Sequence, residues 1–291
     1  MQDPVPSNPV SEQVTAYTLG GQLPGHDAIE TYKSDGVVCL RQAISGEWLG
    51  VIEEGIDLAL SGASADLDVV QKKGESGRFS VSSQAWRQVE PFRRFIFESP
   101  LADIAWPFLE SRSLTLYYDF LLIKEAHSNS ARTPWHQDHA YYPLKGNKVI
   151  NSWVALDPIP VETALRFYAG SHLPGITFRA TNFENNKEHY RHVRLERPIM
   201  PDIDADPDIQ ILTTALAPGD MLLWNSRTFH SAPGNHLPRR RAAFSINWVG
   251  DDCTYEEVAA LDTYLDPSLK TGDPITGEKF PLVRGSLDGK H

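Results

Sequence analysis

The chain has 291 residues, 41% apolar and 22% charged, ordinary values for a soluble globular protein long enough for one large core or two modest ones. A net charge of −11 without any basic tract argues against nucleic-acid binding, no apolar run reaches membrane-spanning length, and Met1-Gln2-Asp3-Pro4 lacks the basic and apolar regions of a signal peptide. Cys39 and Cys253, the only cysteines, exclude a disulfide framework and a cysteine-based zinc site, so a cytoplasmic location is expected.

Residues 1–25 are polar and rich in Pro, Gly and Ser, and read as an N-terminal arm; residues 26–291 read as a single domain. His26 to Lys33 is a short helix candidate, Asp35-Gly36 a turn, and Val37-Val38-Cys39-Leu40 a strand. Ser45 is placed to cap a helix whose apolar spacing runs through Trp48, Leu49, Ile52 and Ile56. Residues 61–76 are small, polar and charged, which is loop composition, and a helical stretch from Pro91 to Leu109 is expected to divide at Pro100. From Leu114 the texture becomes that of strands: Leu114–Lys124, Val149–Leu156, Leu165–Tyr168, Ile211–Leu216, Met221–Trp224 and Ala242–Val249, separated by Gly/Pro turns. Many short punctuated strands, preceded by helices rather than alternating with them, favour a β-sandwich or barrel over a parallel sheet. The charged, irregular insert 175–205 reads as a loop over one end of the sheets.

Trp135-His136-Gln137-Asp138 is the most informative stretch. In extended backbone, residues two apart share a face, so His136 and Asp138 can offer an imidazole nitrogen and a carboxylate oxygen to one point. That is two-thirds of a facial metal triad. Among the remaining histidines, His230 follows a strand and precedes the Ser231-Ala232-Pro233-Gly234-Asn235 turn, a rigid strand end where ligands sit well. His172 reads as a turn or packing residue, His139 points away from its neighbour Asp138, and His127, His189 and His192 lie in polar loop sequence. Arg241 opens a strand on which Arg241, Ala243, Ser245 and Asn247 form a small polar face, opposite the apolar row of Ala242, Phe244, Ile246 and Trp248. A guanidinium at the start of an open polar face suits two-pronged binding of a carboxylate. Arg239 and Arg240 read as a solvated turn.

The ordered set of His136-x-Asp138, His230 and Arg241 resembles the phytanoyl-CoA dioxygenase family of Fe(II)/2-oxoglutarate-dependent oxygenases, which includes ectoine hydroxylase. The similarity runs from about Tyr32 to Asp252 and takes in Lys124, Thr133-Pro134-Trp135-His136-Gln137-Asp138, Trp153 and Gly170-Ser171-His172. The resemblance implies a mainly β protein with flanking helices, its core a double-stranded β-helix (a cupin-like jelly-roll). It implies His136, Asp138 and His230 as iron ligands, Arg241 as the 2-oxoglutarate anchor, and Trp153 and Tyr118 as cosubstrate-pocket positions. With O₂ as the second cosubstrate, the implied reaction is hydroxylation of a small molecule with release of succinate and CO₂. The chain departs from many relatives at Glu162-Thr163, at Ala169-Gly170, and at Ala232, where some members carry a hydroxyl that binds 2-oxoglutarate; Ser245 is placed to substitute for it.

Substrate contacts are expected from the rims: Phe79 and Trp86, Tyr141 and Tyr142, Arg166, Arg179 and Arg227. Aromatics at such positions more often pack a core or lid than read a substrate. An arginine of this set facing the pocket would imply an anionic substrate. Two rival readings remain: a zinc or manganese hydrolase or isomerase on the same three ligands, and a jelly-roll module that binds a ligand without turnover.

Overall fold

The computed structural model describes residues 12–64, 67–70, 77–129, 132–182, 194–258, 260 and 263–287. Four α-helices lie within it: α1 (His26–Asp35), α2 (Gly46–Leu58), α3 (Glu90–Glu98) and α4 (Leu101–Leu109). The strands before the metal motif are β1 (Glu12–Gln13), β2 (Ala16–Thr18), β3 (Val37–Arg41), β4 (Leu67–Val70), β5 (Phe79–Ser83) and β6 (Ser113–Lys124). The motif opens with β7 (Thr133–His136), followed by β8 (Leu144–Lys145), β9 (Val149–Ala155), β10 (Arg166–Tyr168), β11 (Ile211–Thr213) and β12 (Met221–Asn225). The last four are β13 (His230–Ala232), β14 (Arg241–Val249), β15 (Thr254–Tyr255) and β16 (Leu282–Gly285).

Two sheets face each other. The larger runs β2-β3-β12-β9-β14-β6-β5-β4, with β16 also on β6; the smaller runs β1-β11-β10-β13-β7. This is the expected jelly-roll. Its centre is β14, buried along all nine residues and paired antiparallel with β6 on one side and β9 on the other. The alternation of β14 explains both faces. Ala242, Phe244, Ile246 and Trp248 turn outward into a core shared with the helices, where Phe92 and Phe95 sit 4.6 and 5.9 Å from the Phe244 ring. Full burial of rings such as Phe244 and Trp248 stabilises the layer contact by roughly 1.5–3 kcal/mol each. Arg241, Ala243, Ser245 and Asn247 turn inward, and Ala243 joins Trp153, Phe167, Leu222 and Trp224 in the core between the sheets.

The helices follow their sequence signals. Residues Ile52 and Ile56 form the buried stripe of α2, and Pro100 separates α3 from α4 as its missing N–H requires. Gly36 ends α1 at φ 80°, and a side chain there would run into Thr228 and His172.

Two expectations are corrected, and one stretch that the sequence left unassigned is placed. The lead-in 1–25 is an arm only in part: Glu12–Gln13 pairs parallel with β11 and Ala16–Thr18 parallel with β3, so one short segment edges both sheets. Val14 between them is 2% exposed. The loop expected over 61–76 instead contains the end of a π-helical turn, Ala59–Ala63, and strand β4, a four-residue edge strand hidden by the polar sequence around it. Finally, Phe79–Ser83 is a strand, with serine on every second position where the sheet faces the helices. The insert is irregular, as expected, where it is described; His189, His192 and His291 lie outside the described residues. Among the described residues, no helix is long and apolar enough to cross a membrane. Both cysteines are free and buried.

Candidate metal centre and anion anchor

The antiparallel register of β7 and β13 sets His136 directly opposite His230, with ring centroids 4.1 Å apart. After His136 the chain stays extended for Gln137 and then turns, which brings Asp138 back to the same side. Asp138 Oδ1 lies 3.5 Å from Nε2 of both histidines, and the three ligand atoms all fall within 4.8 Å of one another. Both rings are set by their other nitrogen: Nδ1 of His136 donates to the Pro134 carbonyl at 2.9 Å and Nδ1 of His230 to that of Thr228 at 3.0 Å. A carbonyl only accepts, so each Nδ1 carries a proton and each Nε2 is the nitrogen that faces Asp138.

The carboxylate is held with equal care. Asp138 Oδ2 accepts from the Trp224 indole at 3.0 Å and faces Asn151 Nδ2 at 3.5 Å, while Asn151 Oδ1 accepts from Ser245 Oγ at 2.6 Å. Burial alone would raise the Asp138 carboxyl, but His230, His136 and the Trp224 bond together hold it at about 2. Burial, with His136 alongside, lowers His230 to about 4 despite the pull of Asp138. At neutral pH these two groups therefore stand as a carboxylate and a neutral imidazole, the forms that bind a metal. Two imidazoles and one carboxylate on one side of a point leave the other side open, the donor set of a facial triad.

On the inner face of the larger sheet, opposite the smaller sheet that carries His136 and His230, stands Arg241. It is 5% exposed, its guanidinium lies 5.5 Å over the Trp153 ring, and its Nε and Nη2 have no hydrogen-bond partner among the described residues. Burial lowers its pKa to about 10 without displacing the charge at neutral pH. Directly across the strand pair is Lys124, whose Nζ donates to the Pro233 carbonyl at 3.0 Å; burial, then Arg241, push it well below its usual value. A buried guanidinium with two donors unused among the described residues suits an anion with two or more oxygens.

The remaining expected residues divide clearly. Ser245 is close but engaged with Asn151, so it acts on Asp138 through that amide. Tyr118 meets Tyr142 hydroxyl to hydroxyl at 2.9 Å, and Tyr142 donates to Asn247 Oδ1 at 3.1 Å. Tyr141 lies 6.0 Å ring to ring from His136 and donates to Thr181 O at 2.6 Å. Phe79 is half-buried at the Arg241 end, its ring 5.5 Å from Lys124 Nζ. Two substrate candidates are corrected. Arg166 shares β10 with Phe167, whose ring stacks at 5.9 Å on His230, so alternation turns Arg166 out of the chamber toward Asp204 and the outer side of Trp135. Arg227 is spent on structure, donating to Thr177, Asn147, Gly146 O and His139 Nε2. The bond to Arg227 fixes His139 with its proton on Nδ1, facing Ser226 and away from the metal ligands. Arg179 donates to the carbonyls of Leu195 and Arg197.

Sequence reasoning left Gln137 without a task. Its side chain is 1% exposed and uses all its groups: Nε2 donates to Ile176 O at 3.1 Å and Arg227 O at 2.8 Å, and Oε1 accepts from Phe178 N at 2.9 Å. It thus ties the turn between two ligands to the lead-in of the third and to the insert. Trp224 and Asn151 were also missed, since nothing in a strand's alternation says that an indole or amide will reach a particular carboxylate.

Comparison with known proteins gives a consistent picture. The model of the family described as phytanoyl-CoA dioxygenase matches residues 32–243. No curated protein matches the chain by sequence. Among solved structures, the non-heme alpha ketoglutarate dependent carbocyclase SnoK from nogalamycin biosynthesis superposes with TM-score 0.69 at 23% identity, covering 90% of this chain and 97% of its own. The epimerase SnoN, solved with Fe3+, alpha ketoglutarate and nogalamycin RO, gives 0.67 at 23% identity over 89% and 98%. EvdO2 from Micromonospora carbonacea var. aurantiaca, complexed with 2-oxoglutarate, gives 0.59 at 20% identity over 84% and 97%. At these identities the likeness establishes the fold.

Proposed function

The chain belongs to the phytanoyl-CoA dioxygenase family, and from that premise we propose that it is an Fe(II)/2-oxoglutarate-dependent dioxygenase that hydroxylates a small molecule with release of succinate and CO₂. The observation that carries this reading is the pairing of a buried His-Asp-His cluster, its histidines on the smaller sheet, with Arg241 on the inner face of the larger one, its Nε and Nη2 without a partner among the described residues. A zinc hydrolase would use the three ligands but would have no need for a buried Arg241 with two donors unused among the described residues.

His136, Asp138 and His230 would hold iron(II), and Arg241 would take the far carboxylate of 2-oxoglutarate. The bound metal supplies oxygen activation, with 2-oxoglutarate oxidised to succinate and CO₂ as O₂ is reduced. The chain's own contribution is orientation. Pro134 and Thr228 carbonyls aim the imidazoles, Trp224 and Asn151 fix the carboxylate, and the Trp153 face seats the guanidinium. Trp224, Phe167 and Tyr141 surround the ligands with ring surface and keep bulk water from that side.

Anaerobic addition of Fe(II) and 2-oxoglutarate tests the proposal: a visible metal-to-cosubstrate charge-transfer band is expected, and it should be lost in Asp138→Ala. No band, or a band that survives the substitution, overturns the assignment. The carbocyclase and epimerase among the structural neighbours favour a second outcome on the same machinery, a reaction without net oxygen insertion into the substrate. Product mass separates the two: hydroxylation adds one oxygen, ring closure removes two hydrogens, and epimerisation leaves the mass unchanged.

A further inference from the structure

The strands beyond the cosubstrate line carry a surface that the proposed chemistry does not use. Within β6, ten residues are buried and two are not, Phe120 and Leu122, although β6 lies between β14 and β5 in the middle of the large sheet. Along β5, Phe79, Val81 and Ser83 are half-exposed while Ser80 and Ser82 are buried on the helix side. Register sets Phe79 beside Lys124, Val81 beside Leu122 and Ser83 beside Phe120. Half-exposed rows on the inner face of an interior strand mean that the facing sheet stops short of them. What results is a wall two strands wide and three rows long, roughly 5 by 14 Å from strand geometry.

Its chemistry is one-sided. The row carries Phe79, Val81, Phe120 and Leu122, with Lys124 at one end committed to Pro233 O. At the other end Ser83 Oγ meets Thr263 Oγ1 at 3.0 Å, a hydroxyl pair able to bond a ligand oxygen. Among the described residues, Asp68, exposed on β4 directly across from Val81, sets a negative charge beside the middle row, and its sign repels an acid. Arg166, Arg179 and Arg227, the side chains that would match an acid, are turned elsewhere. Nor does the wall belong to the cosubstrate, which would lie along β14 and β9 between Arg241 and the metal ligands; β5 is two strands from β14, about 10 Å across the sheet.

Resting on the dioxygenase reading above, we infer that the inner face of β5 and β6 is the substrate wall and that it takes an uncharged, ring-bearing, largely apolar molecule with an oxygen function at the Ser83–Thr263 end. A flat sheet face fits a flat ring system, and a carboxylate laid on it would lose its water without gaining a partner.

The test is calorimetric titration of anaerobic protein loaded with Fe(II) and 2-oxoglutarate, using 9-fluorenone as the neutral ring ketone and 9-fluorenone-2-carboxylate as its acidic analogue. The ketone is expected to bind at least about tenfold more tightly than the acid. Val81→Asp should weaken ketone binding by about tenfold or more, and the isosteric Val81→Thr by a smaller factor in the same direction, both with the 2-oxoglutarate charge-transfer band intact. Equal or tighter binding of the acid, binding of neither probe, or ketone binding unchanged in both variants overturns the inference. Loss of the band in Val81→Thr would also overturn it, by assigning the wall to the cosubstrate. Absence of the band from the unsubstituted protein is a different failure, that of the dioxygenase reading itself.

Discussion

Arg241 is a buried cation with two nitrogen groups unpartnered among the described residues. Such a group costs stability until its anion arrives, on the order of several kcal/mol in the limit of full desolvation. Replacing it with methionine, similar in reach but uncharged, should raise the melting temperature of protein free of metal and cosubstrate by a few degrees, at about 2–4 °C per kcal/mol for a chain this size. The same variant should lose the further rise that 2-oxoglutarate gives the unsubstituted protein. Differential scanning fluorimetry with and without cosubstrate reads both; a destabilised, still responsive variant would refute the role. Gln137 makes the opposite prediction. Gln137→Glu keeps the shape but removes both donors, stranding Ile176 O and Arg227 O and setting a second acid beside Asp138. A loss of about 1–3 kcal/mol in stability and weaker Co(II) binding by the metal-free protein are expected. Unchanged cobalt affinity would show that Gln137 holds the insert and nothing more.

At the scale of elements, strand β6 shows what alternation conceals as well as what it reveals. Its inner row ends in the chamber, but its outer row includes Asp119, fully buried beneath the short turn Ala85–Arg87, with Oδ2 accepting from Trp86 N at 3.2 Å. Burial raises the Asp119 carboxyl to about 7, although backbone N–H groups from Gln84 to Trp86 oppose the rise. The folded value lies above the unfolded one, so between about pH 4 and 7 the folded protein holds the extra proton and stability falls as pH rises. Asp119→Asn should remove that slope: the gain in melting temperature of the variant over the unsubstituted protein grows from pH 5 to pH 8. A constant difference across that range would refute the shift. The metal motif was legible because His136 and Asp138 lie two apart at a strand end, and Arg241 because nine residues of strict alternation show which side is polar. Arg166 was not, since three residues of β10 give alternation no anchor until Phe167 is known to face His230. Arg227 sits in a turn, where no period applies; β5 carries three serines in five residues, and β4 is only four residues long within polar sequence.

For the molecule as a whole, the jelly-roll was readable from many short punctuated strands, whereas its closure by the N-terminal segment was not. Val14 is buried between β1 and β2, and these strands cover an edge of each sheet. Removing residues through Thr18 should therefore cost about 2–3 kcal/mol for the buried valine and its neighbours, and expose two edges that favour association. Chemical denaturation and light scattering would check this; a truncated chain equally stable and monodisperse would mean that the pairing contributes nothing. Arg240, next to Arg241 but on the other side of β14, binds Asp157 and Glu53 and so fastens α2 to the end of the sheet. Neighbouring arginines thereby serve opposite purposes, one saturated and one waiting.

The alternation of β5 has an evolutionary reading. Its helix-facing serines are fixed by packing, while Phe79, Val81 and Ser83 support little of the fold and touch none of the metal ligands. Mutations in that row disturb less buried surface than mutations in the serine row, so they are natural raw material for new selectivity. A library confined to positions 79, 81 and 83 should yield mostly folded members that retain cosubstrate oxidation but differ in what they accept, which makes this strand the place to begin redirecting the enzyme.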